Sequence, residues 1–256
     1  MTEHIKTTRQ NGVLEITFAR PDKKNALSNA MYRAASDALE GAQSDGAIRV
    51  VLLSSEGDAF TSGNDLSDFA GVAAGKGEEL QAGRFIRALA QAEKPLIAAV
   101  PGLAVGVGTT MLLHCDLVFV AENAKLSAPF VNLALVPEAA SSLLLTARIG
   151  HARAFAMFAM GEALTGLEAF NLGIANRVLP KDEVIATARA AARMLAEKPL
   201  GAVVATKRLM RESEAIQTRM ARESQVFGER LQTAEAREAF SAFAERRTPN
   251  FTKLAS

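Results

Sequence analysis

The sequence predicts an α/β core followed by an all-helical C-terminal part. Three observations predict it. Short apolar runs of strand character take turns with helical segments as far as about residue 179. Beyond Lys198-Pro199 the pattern stays helical to Ala244. Hydrophobic residues make up 49% of the 256, enough for a sizeable core. The expected boundary lies near Pro199, with an α/β core over residues 1–198 and a helical part over 199–256.

Each element has a local reason. Leu14, Ile16 and Phe18 alternate with Glu15, Thr17 and Ala19, the mark of a half-buried strand. Asn11-Gly12 is a hairpin signal that pairs it with Ile5–Arg9. Ser28 can cap a helix running to about Gln43. Ile48–Leu53 is β-branched and reads as a second strand. The run Gly57 to Asp65 is a loop leading into a helix around Leu66, Gly71–Gly77 has little to bury, and Glu78–Ala92 is amphipathic and helical. Leu96–Val100 and Leu117–Ala121 read as buried strands, with a helix over Thr109–His114 between them. His151–Met160 is a helix with an apolar face, Thr165 caps Gly166–Leu172, Ile174–Val178 is an edge strand, and Asp182–Glu197 is an Ala-rich helix. No repeat of fixed period is visible.

Bulk properties exclude several function classes. A net charge of +1 gives no basic excess for a nucleic-acid surface. No apolar run reaches the roughly 18 residues of a membrane span, and the first dozen residues lack the apolar core of a signal peptide. The single cysteine, Cys115, permits no intramolecular disulfide, so a cytoplasmic setting is expected. The histidines at 4, 114 and 151 have no metal-ligand spacing, and His114 beside Cys115 reads as a packed residue rather than a dyad. There is no GxSxG elbow or phosphate-loop lysine, and the glycines of Gly102–Gly108 match a dinucleotide fingerprint only loosely.

Two loop-to-helix joints carry the chemistry that remains. One is Ser62-Gly63-Asn64-Asp65 and the other is Gly106-Val107-Gly108. The first N–H groups of a helix have no internal partner, so each joint offers a place for partial negative charge. Two of them aimed at one point would form an oxyanion hole. Glu138 is the only carboxylate between Asn123 and Ala147 and lies in an apolar stretch. An acid there could serve the dipole of the following helix, worth about 0.3–1 kcal/mol, or move a proton beside a polarised carbonyl. Asp65 and Asp116 read as loop-pinning or structural residues.

A set of further motifs runs through the chain: Arg20-Pro21 with Asn25-Ala26-Leu27, Ala59 to Leu66, Lys94-Pro95, Gly102 to Gly106, Cys115-Asp116, Leu172 to Ala175, and the tail Ala239-Phe240 with Glu245 to Phe251. By these marks the chain resembles the crotonase family, also called the enoyl-CoA hydratase/isomerase family, nearly end to end. The resemblance implies a crotonase-type spiral of ββα turns and a helical C-terminal part that assembles a homotrimer or hexamer. It implies an acyl-CoA thioester substrate, with coenzyme A entering as part of that substrate and no separate cofactor or metal. The oxyanion hole would be the backbone N–H groups of Asn64 and Val107. Lys24, Ala26, Ser62, Asp65, Leu66, Gly106 and Phe130 stand at the family's substrate-binding positions, and Lys23 or Lys24 would meet the coenzyme A phosphates. Pocket walls are expected near Leu80–Ile86 and Phe130–Leu135.

The departures are specific. Family hydratases carry two glutamates, and those positions here hold Thr110 and Phe130. Glu138 in Val136-Pro137-Glu138 stands instead where the Δ3,Δ2-enoyl-CoA isomerases have a single acid/base. The resemblance therefore implies a shift of a 3-enoyl-CoA double bond to 2-enoyl-CoA. The alternatives are a 2-enoyl-CoA hydratase-like enzyme, a ring-epoxide acyl-CoA isomerase, an aryl-CoA dehalogenase, or an inactive CoA-binding scaffold.

Overall fold

Asn11 and Gly12, both at positive φ, fold Ile5–Gln10 (β1) antiparallel onto Val13–Phe18 (β2). The structure, a computed structural model, describes residues 2–65 and 80–254. The expected helix around Leu66, the stretch Gly71–Gly77 and the start of the Glu78–Ala92 helix lie outside the described residues. Ser28 caps Asn29–Ser44 (α1), its hydroxyl accepting from the Met31 N–H at 3.4 Å.

The next strands come in pairs. Val50–Ser55 (β3) is followed by Ala59–Thr61 (β4), and Leu96–Val100 (β5) by Leu103–Val105 (β6). Leu117–Ala121 (β7) is followed by Lys125–Ser127 (β8). Each pair gives its first strand to a six-stranded sheet, β1-β2-β3-β5-β7-β10, and its second to a four-stranded sheet, β4-β6-β8-β9. Here β9 is Leu164–Thr165 and β10 is Arg177–Leu179. Helices close the turns: Ala82–Gln91 (α2), the short Val107–Thr110 (α3), then Ser141–Ile149 (α4) and His151–Phe155 (α5). All pairings in the large sheet beyond β1–β2 are parallel. The result is a spiral of ββα turns, a repeat of structure that leaves no repeat in the sequence.

Several boundaries differ from the sequence reading for local reasons. The β2 strand is buried on both faces rather than half-buried. Gly166–Asn171 (α6) is followed, after β10, by Lys181–Ala196 (α7), and Arg189 of α7 reaches Glu15 from the far face. Arg189 donates to both Glu15 oxygens, at 2.8 and 2.9 Å, and Ser54 adds a third bond at 2.6 Å. A buried carboxylate is tolerable on that condition. The edge strand begins at Arg177 rather than Ile174, because the N–H groups of Ile174 and Ala175 turn back to the Ala169 carbonyl. The second strand runs Val50–Ser55, in register with Val13–Phe18. The helix from His151 becomes π-helical over Ala156–Met160 and stops at left-handed Gly161.

The C-terminal part adds Leu200–Leu209 (α8), Ser213–Leu231 (α9) and Ala234–Ala244 (α10). Lys207 ties it to the core by donating to Asp116 at 2.7 Å and to the Lys94 carbonyl at 3.0 Å. Asp116 also accepts the Leu96 N–H at 2.7 Å, which makes it a structural residue. Among the described residues, no helix is long and apolar enough to cross a membrane.

Candidate active site

The small sheet sets the two joints side by side. β4 and β6 run parallel, with Thr61 opposite Ala104, so the loops that leave their ends emerge together. Two glycines make the approach possible. A Cβ on Gly108 would lie 2.5 Å from Thr61 Cγ2, and one on Gly102 would lie 2.0 Å from the Asp58 carbonyl oxygen. Only glycine permits such contact. Gly106 turns at φ 58° and starts α3 at Val107, two residues earlier than the helix expected from the sequence.

The first joint is pinned by hydrogen bonds. The Leu27 N–H donates to the Gly63 carbonyl at 2.8 Å, and the Asp65 N–H donates to the Leu27 carbonyl at 2.9 Å. Asp65 forms a 2.7 Å ion pair with Arg20, which also reaches the Ala26 carbonyl. The Asn64 and Val107 N–H groups donate to nothing among the described residues. Both residues line one apolar cavity of about 890 Å³, as do Ala26, Ser62, Asp65, Gly106 and Phe130. Lys24 is exposed on the outer loop and does not line the cavity, and Leu66 lies outside the described residues.

One wall differs from expectation. Phe130, Asn132, Leu133 and Leu135 line the cavity, but the Leu80–Ile86 stretch does not. Ile86 packs into the core, and Phe227, Phe240 and Phe243 of α9 and α10 take its place. The C-terminal helices thus close the cavity of their own chain. Three phenylalanines and few polar groups fit an acyl chain better than a polar ligand.

Glu138 is not among the residues that line the cavity. Thr110, one turn after Val107, donates its hydroxyl to Glu138 Oε1 at 2.5 Å. Glu138 Oε2 is buried without a partner among the described residues. Burial pushes its carboxyl up to about 7, and the charge of Glu223 adds to the effect. A carboxyl that titrates near neutrality can exchange a proton in either direction. The backbone at Glu138 is held in an unusual turn, because Ala139 and Ala140 both adopt positive φ, at 60° and 54°. His114 braces that turn through Nε2, 2.8 Å from the Ala139 carbonyl oxygen, while Arg211 reaches Nδ1 at 2.6 Å. With both ring nitrogens engaged and its pKa lowered to about 3 by burial, His114 is neutral. It is a brace and not half of a dyad with Cys115, whose thiol burial pushes up to about 12.

Tyr32, which sequence reasoning missed, links the two halves. Its hydroxyl donates to Asn64 Oδ1, and the charge of Glu138, with burial the larger cause, raises its pKa. The only signal was its place on the buried face of α1. Because the Asn64 side chain is occupied by Tyr32, its N–H is the part of the residue free to act. Asn64→Ala is expected to keep activity well above the roughly hundred- to thousandfold loss that follows removal of an oxyanion donor. Steady-state turnover of the folded variant checks this.

Comparisons with known proteins place this geometry. Residues 8–254 match the family model described as enoyl-CoA hydratase/isomerase. The 2,3-dehydroadipyl-CoA hydratase of Escherichia coli is 34% identical over 98% of this chain and 99% of its own. Enoyl-CoA delta isomerase 2 of Rattus norvegicus is 33% identical over 82% of this chain, which spans 55% of the rat protein. The crystal structure of an enoyl-CoA hydratase/isomerase from Pseudoalteromonas atlantica superimposes with a TM-score of 0.91 at 41% identity, covering 97% of this chain and 100% of that one. With two N–H groups on one apolar cavity that have no partner among the described residues, and a buried acid bonded to Thr110 of α3, the chain belongs to the crotonase, or enoyl-CoA hydratase/isomerase, family.

Proposed function

We propose that this protein is an acyl-CoA isomerase that converts 3-enoyl-CoA to 2-enoyl-CoA. The observation that carries the reading is Glu138, a buried acid with one oxygen unpaired among the described residues, while the other two candidate positions, Thr110 and Phe130, cannot move protons. Thr110 is spent on orienting Glu138, and Phe130 is a buried wall residue packed on Phe158 at 6.0 Å between rings.

The chemistry follows from those parts. The N–H groups of Asn64 and Val107 hold the thioester oxygen and stabilise charge developing there. The C2 proton becomes removable, and Glu138 takes it. The resulting dienolate spreads its electrons to C4. Glu138 returns the proton there, and the double bond moves from C3 to C2. One group suffices where C2 and C4 lie on the same side of a bent chain. Coenzyme A enters as part of the substrate, and no metal or separate cofactor takes part. The protein works in the cytoplasm on this reading.

The rivals fare less well on particular residues. Hydration calls for one group to activate water and another to protonate C2. Dehalogenase and ring-epoxide chemistry in this family use Asp at the Glu138 position. A CoA-binding scaffold has no need of a buried acid with a raised pKa. A thermal-shift titration with CoA, run beside a 3-enoyl-CoA turnover assay, separates enzyme from scaffold. Stabilisation with turnover is expected, and stabilisation without it would leave the scaffold.

We also propose a trimer or a dimer of trimers. Leu209 is 90% and Met210 82% exposed at the end of α8, beside partly exposed Val203 and Val204. An apolar edge of this kind is commonly covered in an assembly. Light scattering is expected to give the corresponding mass, and a stable monomer at micromolar concentration would overturn the assembly.

A further inference from the structure

The helix α4 starts on two left-handed alanines and has no side-chain cap of its own. A carboxylate from α9 supplies one. Glu223 Oε1 accepts the Ser142 N–H at 2.9 Å and the Ser142 hydroxyl at 2.5 Å. Capping a helix accounts for Oε1. It does not account for Oε2, which is buried and has no partner among the described residues, on a side chain only 7% exposed.

Among the described residues three more atoms share that condition: Ser55 Oγ at the end of β3, and two on the turn that Glu223 caps. Ser141 Oγ, on a fully buried residue, and Glu138 Oε2 are likewise buried and unpaired. Glu138 and Ser141 belong to one turn, closed by the Ser141 N–H donating to the Glu138 carbonyl at 3.0 Å. Glu223 caps the same turn. Buried polar atoms are nearly always satisfied, so three orphans on one turn and its cap point to a common partner. A hydrogen-bonding molecule the size of water makes about three such bonds when buried.

We propose that Glu138 Oε2, Ser141 Oγ and Glu223 Oε2 bracket a site for one water molecule, through which Glu223 serves as the proton partner of Glu138. The inference rests on the isomerase reading only for its catalytic meaning. The transfer balances simply. Protonated Glu138 gives its proton to the water, the water gives one of its own to Glu223, and no electrons change hands. Reversal restores the acid. Glu223 is thus a positioning residue that acts through Glu138. The groups facing Glu138 are Tyr32 from α1, Thr110 from α3 and Glu223 from α9. Those facing Glu223 are the Ala140 and Ser142 groups of α4 and Arg219, whose Nη1 lies 3.3 Å from Ser142 Oγ.

The test is an isotope-edited infrared titration of the Glu138 carboxyl in the full chain, with Glu138→Gln as the blank. Glu223→Gln keeps an oxygen to cap Ser142 but removes the charge. It is expected to lower the Glu138 midpoint by about one pH unit, a tenfold drop in proton affinity. Ser141→Ala removes one bracket of the water and is expected to move the midpoint upward, because the charged form loses a donor. Should Glu223→Gln fail to fold, Ser141→Ala decides alone. The Glu223 charge acts on Glu138 directly as well, so the water site is decided by Ser141→Ala, and an unchanged midpoint in that folded variant overturns the proposal. Turnover is not the readout, so a parent enzyme that fails to isomerise would defeat the functional reading and leave this result standing.

Discussion

Glu138→Gln is expected to lower 3-enoyl-CoA turnover by about 10²–10⁴-fold, the usual worth of a general base with no substitute at hand. Gln matches Glu in size and can still accept from Thr110 through its oxygen. It cannot take the C2 proton. Acyl-CoA binding should persist, because the cavity and both N–H donors are untouched. The same variant reports on stability. Burial raises the carboxyl from its ordinary 4.5 to about 7, so between those values the native state holds a proton that the unfolded chain has lost. Stability therefore falls as pH rises through that window. Gln has no such dependence. The melting temperature of Glu138→Gln relative to the parent should accordingly rise between pH 4.5 and pH 7, and a thermal-melt series over this range measures it.

Val107→Pro is expected to cost about 10²–10³-fold in turnover while leaving the fold intact, because on the proposed mechanism it removes one oxyanion donor. Val107 is the first residue of α3, where proline is well tolerated since that N–H has no helical partner. The preceding Gly106 has no side chain to meet the ring. Val107→Ala keeps the N–H and serves as the control. Equal melting temperatures with turnover lost only in the proline variant would assign the effect to the donor. Equal turnover in the two variants would remove Val107 from the hole.

Half of this site is legible in the glycine spacing alone. Gly106 and Gly108 announce a close approach, and the fold identifies what is approached: the end of β4 at Thr61. The lone acid among apolar residues is equally plain at Glu138. Partners far apart in sequence are not legible. Tyr32 meets Asn64 across 32 residues, and Glu223 meets Ser142 across 81. Neither carries a motif, since a tyrosine or glutamate on a helix has many ordinary uses. The left-handed turn at Ala139-Ala140 is hidden for another reason. Alanine gives no hint of positive φ, which is imposed here by His114 and the cap from Glu223. The two-sheet spiral is similarly silent, because three-residue strands such as Ala59–Thr61 and Lys125–Ser127 fall below what periodicity can detect.

The central claim is that one carboxyl, Glu138, carries both proton transfers. The most direct test compares two rates on the parent enzyme: isomerisation of a 3-enoyl-CoA and hydration of crotonyl-CoA, at the same enzyme concentration and pH. Isomerisation needs a single group that visits C2 and then C4. Hydration needs a second group in contact with the substrate, and Thr110 and Phe130 cannot supply it. The expected result is measurable conversion to 2-enoyl-CoA with little hydration. Hydration of crotonyl-CoA faster than isomerisation would contradict the single-acid account.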